Sequence, residues 1–170
     1  MPLAHYRLTW LGLALAALAL ELTALFFQYI LNLDPCELCI YQRAMVLGLL
    51  LAALITMSAP RIAVIRWIGY LGVGAAAGGC LMLALELSGI QTGLIEPSLS
   101  CDVNAHFPSW LKLDQWVPAV FQPTGFCGDV QWIFISLSIP QWSAIAMVLF
   151  LLALLVLILG DLRAWWSRRQ

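Results

Sequence analysis

Apolar residues run along this chain in four long stretches with little polar interruption. The first covers about residues 10–30 and is broken mainly by Glu21, Thr23 and Gln28. The second covers about 40–57 and ends before Pro60. The third, about 67–87, carries the small-residue segment GVGAAAGGC, and the fourth covers about 142–159. A helix needs about 20 apolar residues to cross the roughly 30 Å hydrocarbon core of a bilayer, so each stretch predicts a membrane-spanning helix. The glycines and alanines of the third let a neighbouring helix approach closely. The first stretch is long for the core of a signal peptide, contains Glu21 and lacks a convincing A-x-A exit, which predicts a retained span.

Of the 170 residues, 63% are hydrophobic and 10% charged, against about 25% charged in a soluble domain. That leaves too little polar surface for water, and the lipid bilayer is the expected solvent. A net charge of −1 gives no reason to expect a nucleic-acid partner. No phosphate loop, carboxylate-rich metal motif or Ser-His-Asp pattern is present.

Six of the eight basic residues, Arg7, Arg61, Arg66, Arg163, Arg168 and Arg169, fall on one side of the four spans. The positive-inside rule makes that side cytoplasmic. The expected fold is all-α: a single integral membrane domain over residues 1–170, a four-helix transmembrane bundle with both termini cytoplasmic. Two loops then face outward, a short one near 31–39 and a long one near 88–141.

On this topology four of the five cysteines share the outer side, where disulfides persist. Cys36 and Cys39 form a C-x-x-C within LDPCELCIYQR, at the mouth of span two, while Cys101 and Cys127 lie in the long loop. A redox pair, a wide disulfide stapling the loop and a four-cysteine zinc site all fit that count. Cys80 stands alone inside span three and reads as a small buried apolar residue.

The segment DPCELC reads as a helix start, with Asp34 as N-cap, Pro35 at N1 and Glu37 at N3. Cys36 and Cys39 then sit in the first turns, where unpaired N–H groups and the positive end of the macrodipole favour a thiolate. Glu37 and Asp34 oppose this somewhat. Arg43 lies one turn below Cys39 on the same face and stays protonated. It is either an interface anchor whose head snorkels outward or a cation stabilising an anion beside Cys39. That anion is the thiolate or the reduced oxygen of a lipid-soluble acceptor, for which quinone is the obvious class.

In the long loop, IEPSLS before Cys101 and PTGFCGD around Cys127 are rich in turn residues. They predict mobile segments able to present a disulfide to other sulfurs. Between them Trp110, Leu113, Trp116, Val117 and Val120 recur at helical spacing. This is the pattern of a short interfacial amphipathic helix, kept short by Pro118, or of a plain hydrophobic loop cover. His106 reads as a solvated histidine or a helper in deprotonating a thiol. Glu21 and Glu86 are carboxyls within or near the bilayer, either neutral hydrogen-bonded acids between helices or proton-handling groups.

Taken together, ALELTALFFQ, PCELCIYQR, CDVNAHFPSWLKLDQWVPAVF and IPQW closely resemble the bacterial disulfide bond formation protein B (DsbB) family, over nearly the whole chain and all four spans. The resemblance implies a multi-pass oxidoreductase of the bacterial inner membrane with its redox cysteines on the periplasmic side. Such an enzyme reoxidises DsbA, a periplasmic thioredoxin-fold disulfide donor, and passes the electrons to membrane quinone, ubiquinone or menaquinone. By motif position, the resemblance makes Cys101 and Cys127 the pair that DsbA meets, with Cys101 taking the mixed disulfide. Cys36 and Cys39 accept the electrons, Cys39 faces the quinone, and Arg43 is the quinone-site arginine. Some relatives carry a histidine near the outer end of span three that borders the quinone; here the region reads ALELSGIQ, without one. Two rival readings are a quinone-linked thiol reductase running in the other direction and a Cys₄ metal-binding membrane protein. Against the second, Arg43 beside Cys39 would repel a metal cation.

Overall fold

The computed structural model describes residues 3–96, 107–108, 111–130 and 132–167. Four long helices carry the four apolar stretches: α1 (Arg7–Tyr29), α2 (Glu37–Ser58), α3 (Ala63–Gln91) and α6 (Ile139–Trp166), preceded by a 3₁₀ turn at Leu3–His5. Each is long and apolar enough to cross a membrane. Each also runs a few residues beyond its apolar stretch, because backbone hydrogen bonding continues into polar ends that hydropathy leaves out.

Between α3 and α6 lie two four-residue helices, α4 (Leu113–Trp116) and α5 (Pro118–Phe121). A small antiparallel hairpin follows, β1 (Ile133–Phe134) with β2 (Leu137–Ser138). The expected single amphipathic helix is thus two turns. Val117, at φ −136° and ψ 66°, breaks it, because the residue before a proline is pushed out of the helical region. Trp116 and Val117 face outward, while Phe121, outside the expected stripe, is the buried anchor. Trp110 lies outside the described residues.

The helix α2 packs on α1 and α3, and α3 packs on α6, so neighbours in sequence are neighbours in space. Their shared core includes Trp10, Ala14, Leu49, Val73, Met147 and Leu154. At Gly72 a Cβ would stand 2.8 Å from the Ala52 Cβ, so α2 and α3 meet at a distance that small residues allow. The outer faces are apolar too: Leu8 is 78% exposed, Met82 75% and Leu71 69%. Apolar surface of that extent is a liability in water and ordinary in lipid; the chain is a multi-pass membrane protein.

At the end away from Cys36, Asp161 of α6 gathers a polar clasp. It accepts from Arg66 Nε at 2.5 Å and from Tyr70 OH at 3.2 Å, and pairs with His5 Nε2 at 3.0 Å. Trp10 Nε1 donates to the Ala4 carbonyl at 2.9 Å. The 3₁₀ turn therefore bridges the feet of α1 and α6, which share no extensive packing of their own. A cleft is left between these two helices above it.

Candidate active site

The helix α2 starts two residues later than its sequence suggests. Its N-cap is Cys36, whose Sγ accepts the Cys39 N–H at 3.3 Å. Asp34 is engaged elsewhere: its Oδ1 accepts from the Thr124 hydroxyl at 3.1 Å. The Pro35 carbonyl accepts from the Thr124 and Gly125 N–H groups at 2.9 and 3.1 Å. These bonds hold residues 34 and 35 against the long loop, which leaves Cys36 as the next side chain able to cap. Glu37 falls at N1 rather than N3, and its carboxylate accepts from Tyr41 OH at 2.5 Å.

The same latch fixes Cys127, in a segment expected to be mobile. Cys127 is only 4% exposed and packs with Cys36, Leu38, Leu87 and Ile90. Gly125 permits the approach, since a Cβ there would stand 2.4 Å from the Asp34 carbonyl oxygen. Cys36 and Cys39 are free thiols, so the C-x-x-C is open in this structure. Hydrogen bonds to the Cys127 and Cys39 sulfurs, and then burial, hold the Cys36 thiol well above the ordinary thiol range. Cys101 and His106 lie outside the described residues.

Arg43 turns its head inward rather than to water and is 7% exposed. Its Nη1 donates to Gln28 Oε1 and, at 3.1 Å, to the Val120 carbonyl; its Nη2 donates to the Ala24 carbonyl at 3.1 Å. The neighbouring Ala119 carbonyl accepts from Tyr29 OH at 2.5 Å and from Gln28 Nε2 at 3.2 Å. The turn α5 is therefore a cover strapped across the end of α1, with Arg43 underneath.

Cys36, Cys39 and Arg43 all line a cavity of about 390 Å³, walled chiefly by α1 and α6. Phe27, Trp132 and Trp142 give it aromatic sides, the first two rings lying 4.8 Å apart. Glu21 lines it as well, with Gln42 and Ser143. Cys80 is wholly buried and outside the lining, its Sγ 3.8 Å from the Gln42 carbonyl and 3.9 Å from Ser143 Oγ. Glu86 is half-buried on α3 and also outside the lining. Among the described residues, no group of three or more His, Cys, Asp or Glu side chains is arranged to hold a metal ion.

Sequence reasoning missed Gln28, Thr124 and Gly125. Gln28 carries a signal, a lone amide in an apolar run; Thr124 and Gly125 bond the Pro35 carbonyl through their backbone N–H groups, and the Thr124 hydroxyl that reaches Asp34 does not stand out in a turn-rich loop.

A four-helix membrane bundle that gathers three sulfurs at one helix mouth, above a cleft between two of its helices, has the build of a multi-pass membrane thiol–disulfide oxidoreductase. The family model "Disulfide bond formation protein DsbB" matches residues 6–157. The chain is 48% identical over 160 residues to the disulfide bond formation protein B of Shewanella amazonensis, covering 94% of each chain. Its identity to the protein of the same name from Aeromonas hydrophila subsp. hydrophila is 43% over 160 residues, covering 94% of this chain and 92% of that one. With that from Shewanella sp. (strain MR-4) it is 44% over 155 residues, covering 91% and 88%. The chain belongs to the DsbB family and is a membrane oxidoreductase of disulfide bond formation.

Proposed function

We propose that this enzyme reoxidises a DsbA-like periplasmic thioredoxin-fold protein and passes the electrons to membrane quinone, ubiquinone or menaquinone. It does so from the bacterial inner membrane, with its redox cysteines on the periplasmic side. The observation that carries the reading is the packing of Cys127 on Cys36 at the mouth of a cavity that Cys39 and Arg43 line.

A thiolate of the reduced partner attacks Cys101 of the Cys101–Cys127 disulfide and releases Cys127. Cys127 attacks Cys36 of the Cys36–Cys39 disulfide, and Cys39 leaves as a thiolate. Cys39 is the better leaving group, because the start of α2 and the Arg43 cation one turn on both favour a negative sulfur there. The partner's second thiol attacks its own sulfur bound to Cys101 and departs as a disulfide. Cys101 then attacks Cys127, restoring the loop pair and leaving Cys36 as a thiol. Two electrons have moved from the partner to Cys36 and Cys39.

The cavity suits a quinone head group: its sides are aromatic, and Arg43 offers N–H donors to a ring oxygen. When bound, quinone supplies an acceptor for two electrons and two protons. Cys39 donates the electrons, Cys36 closes the disulfide, and Arg43 holds the charge that develops. The α5 cover keeps water from the site.

Purified protein given reduced DsbA and ubiquinone should oxidise DsbA and consume quinone in equal amounts. Quinol consumption with reduction of DsbA would reverse the direction. Stoichiometric zinc without redox activity would replace the reading with a Cys₄ site.

A further inference from the structure

We propose that Glu21 is the proton-donating group of this cavity, an inference that rests on the quinone reading above. Glu21 lies on α1 eight residues before Tyr29, about 12 Å down the helix from its end. It lines the same cavity as Cys39 and Arg43. An acidic side chain at that depth is costly and is retained where it pairs or handles protons. Pairing does not account for it. Among the described residues the contact ion pairs are His5–Asp161 and Arg66–Asp161, at the opposite end of the bundle, and no hydrogen bond holds the Glu21 carboxyl. Arg43, whose charge still reaches Glu21, directs its Nη donors to Gln28, Ala24 and Val120.

The chemistry needs a proton where Glu21 stands. Closing the disulfide from a Cys36 thiol and a Cys39 thiolate gives up two electrons and one proton, whereas the acceptor takes two of each. The second proton is the one that the partner's attacking thiol gave to water on becoming a thiolate, so a proton must come back to a ring oxygen inside a cavity walled by helices. The Glu21 carboxyl delivers that proton, becomes a carboxylate, and is reloaded from water at the cavity mouth between turnovers. The Ser143 hydroxyl, in the same lining, can relay the proton inward. The other charged or titratable groups of the lining are Cys36, Cys39 and Arg43 around α2, and Asp34 and Asp129 in the loops. Both aspartates are exposed, which leaves Glu21 as the carboxyl carried by a helix wall.

The test uses purified full-length protein and a short-chain ubiquinone, with Glu21→Gln and Glu21→Asp. Glutamine keeps the shape and removes the proton. Single-turnover quinone reduction by the pre-reduced Cys36/Cys39 pair should fall about 100-fold in Glu21→Gln, the scale of losing a positioned general acid. Glu21→Asp should be intermediate. Quinone affinity, read from quenching of Trp132 and Trp142, should change by less than about threefold. The infrared difference spectrum of quinone reduction should show a carboxyl carbonyl band in wild type that is missing in Glu21→Gln. Unaltered disulfide exchange with DsbA certifies the fold; if the glutamine variant does not fold, Glu21→Asp carries the test through its slowed rate and shifted band. A wild-type rate with the band intact in the variant overturns the proposal. So does a loss of affinity equal to the loss of rate, which would make Glu21 a packing residue. Wild-type protein that binds no quinone would bring down the quinone reading itself, a result distinct from either.

Discussion

Cys127 packs against Cys36 at the cap of α2, and each is 4% exposed. In the proposed relay this contact gives the sulfurs an order: Cys127 reaches Cys36, and Cys39 leaves on the side of Arg43. In Cys39→Ala the Cys36 sulfur has lost its own partner, so a Cys36–Cys127 bridge should accumulate. Non-reducing peptide mapping would detect it. An equal yield of a Cys39–Cys127 bridge in Cys36→Ala would show that the two thiols of the C-x-x-C are equivalent, and the order would not stand.

Cys127→Ala should trap the partner instead. With the resolving thiol gone, the mixed disulfide at Cys101 persists, and non-reducing gels should show a band of summed mass with DsbA. If Cys101→Ala gives that band and Cys127→Ala does not, the two roles are reversed.

Gly125→Ala tests the latch that holds Cys127 in place. The added Cβ would stand 2.4 Å from the Asp34 carbonyl oxygen, so the loop must move. Overpacking of this kind costs about 1–3 kcal/mol. The expected result is transfer between the loop pair and Cys36–Cys39 slowed about tenfold or more, with quinone affinity retained. Stopped-flow measurement with reduced DsbA separates the two; unchanged transfer would mean that the latch does not govern the meeting of Cys127 with Cys36.

Cys80→Ala should keep most of the turnover. Its sulfur is wholly buried in the helix core and outside the cavity lining, so the loss is of packing, about 1 kcal/mol in stability. Steady-state activity and melting temperature in detergent would show this. A loss of activity on the scale of Cys39→Ala would make Cys80 a redox participant.

The helices are legible in the sequence because burial in lipid imposes one long period of hydropathy on each span. Cys36, Cys39 and Arg43 are legible together because their relation is local, three and four residues apart on one helix. Contacts between elements are not. Nothing in the side-chain pattern marks the Pro35 carbonyl as the acceptor for Thr124 and Gly125, and that engagement is what moves the cap from Asp34 to Cys36. Turn-rich composition around Cys127 reads as mobility, whereas here it shapes a loop for close docking. The hairpin escapes for another reason: two-residue strands show no alternation. Its turn places Ile135 and Ser136 at φ 52° and 63°, where glycine or asparagine would have signalled it.

Arg43→Met carries the heaviest consequence for the quinone reading. Methionine keeps much of the stem but removes the charge and every donor, leaving Gln28 Oε1 and the Ala24 and Val120 carbonyls to find other partners. Two effects follow. The α5 cover loses its tie to α2, and the negative charge that develops at Cys39 and at a ring oxygen loses its nearest cation. A charged hydrogen bond contributes about 1.5–3 kcal/mol, so turnover should fall about tenfold to a hundredfold, with a higher KM for quinone. Lysine should rescue only part, because a single ammonium cannot reproduce the planar fork that serves α1 and α5 together. Exchange between DsbA and the loop pair should stay near the wild-type rate, since Thr124 and Gly125 hold that loop on Pro35 independently of Arg43. Steady-state quinone reduction for wild type, Met and Lys, beside single-turnover oxidation of DsbA, makes the comparison. Unchanged quinone kinetics in folded Arg43→Met protein would reduce Arg43 to a brace for the cover, and the cavity beside it would lose its claim to the quinone.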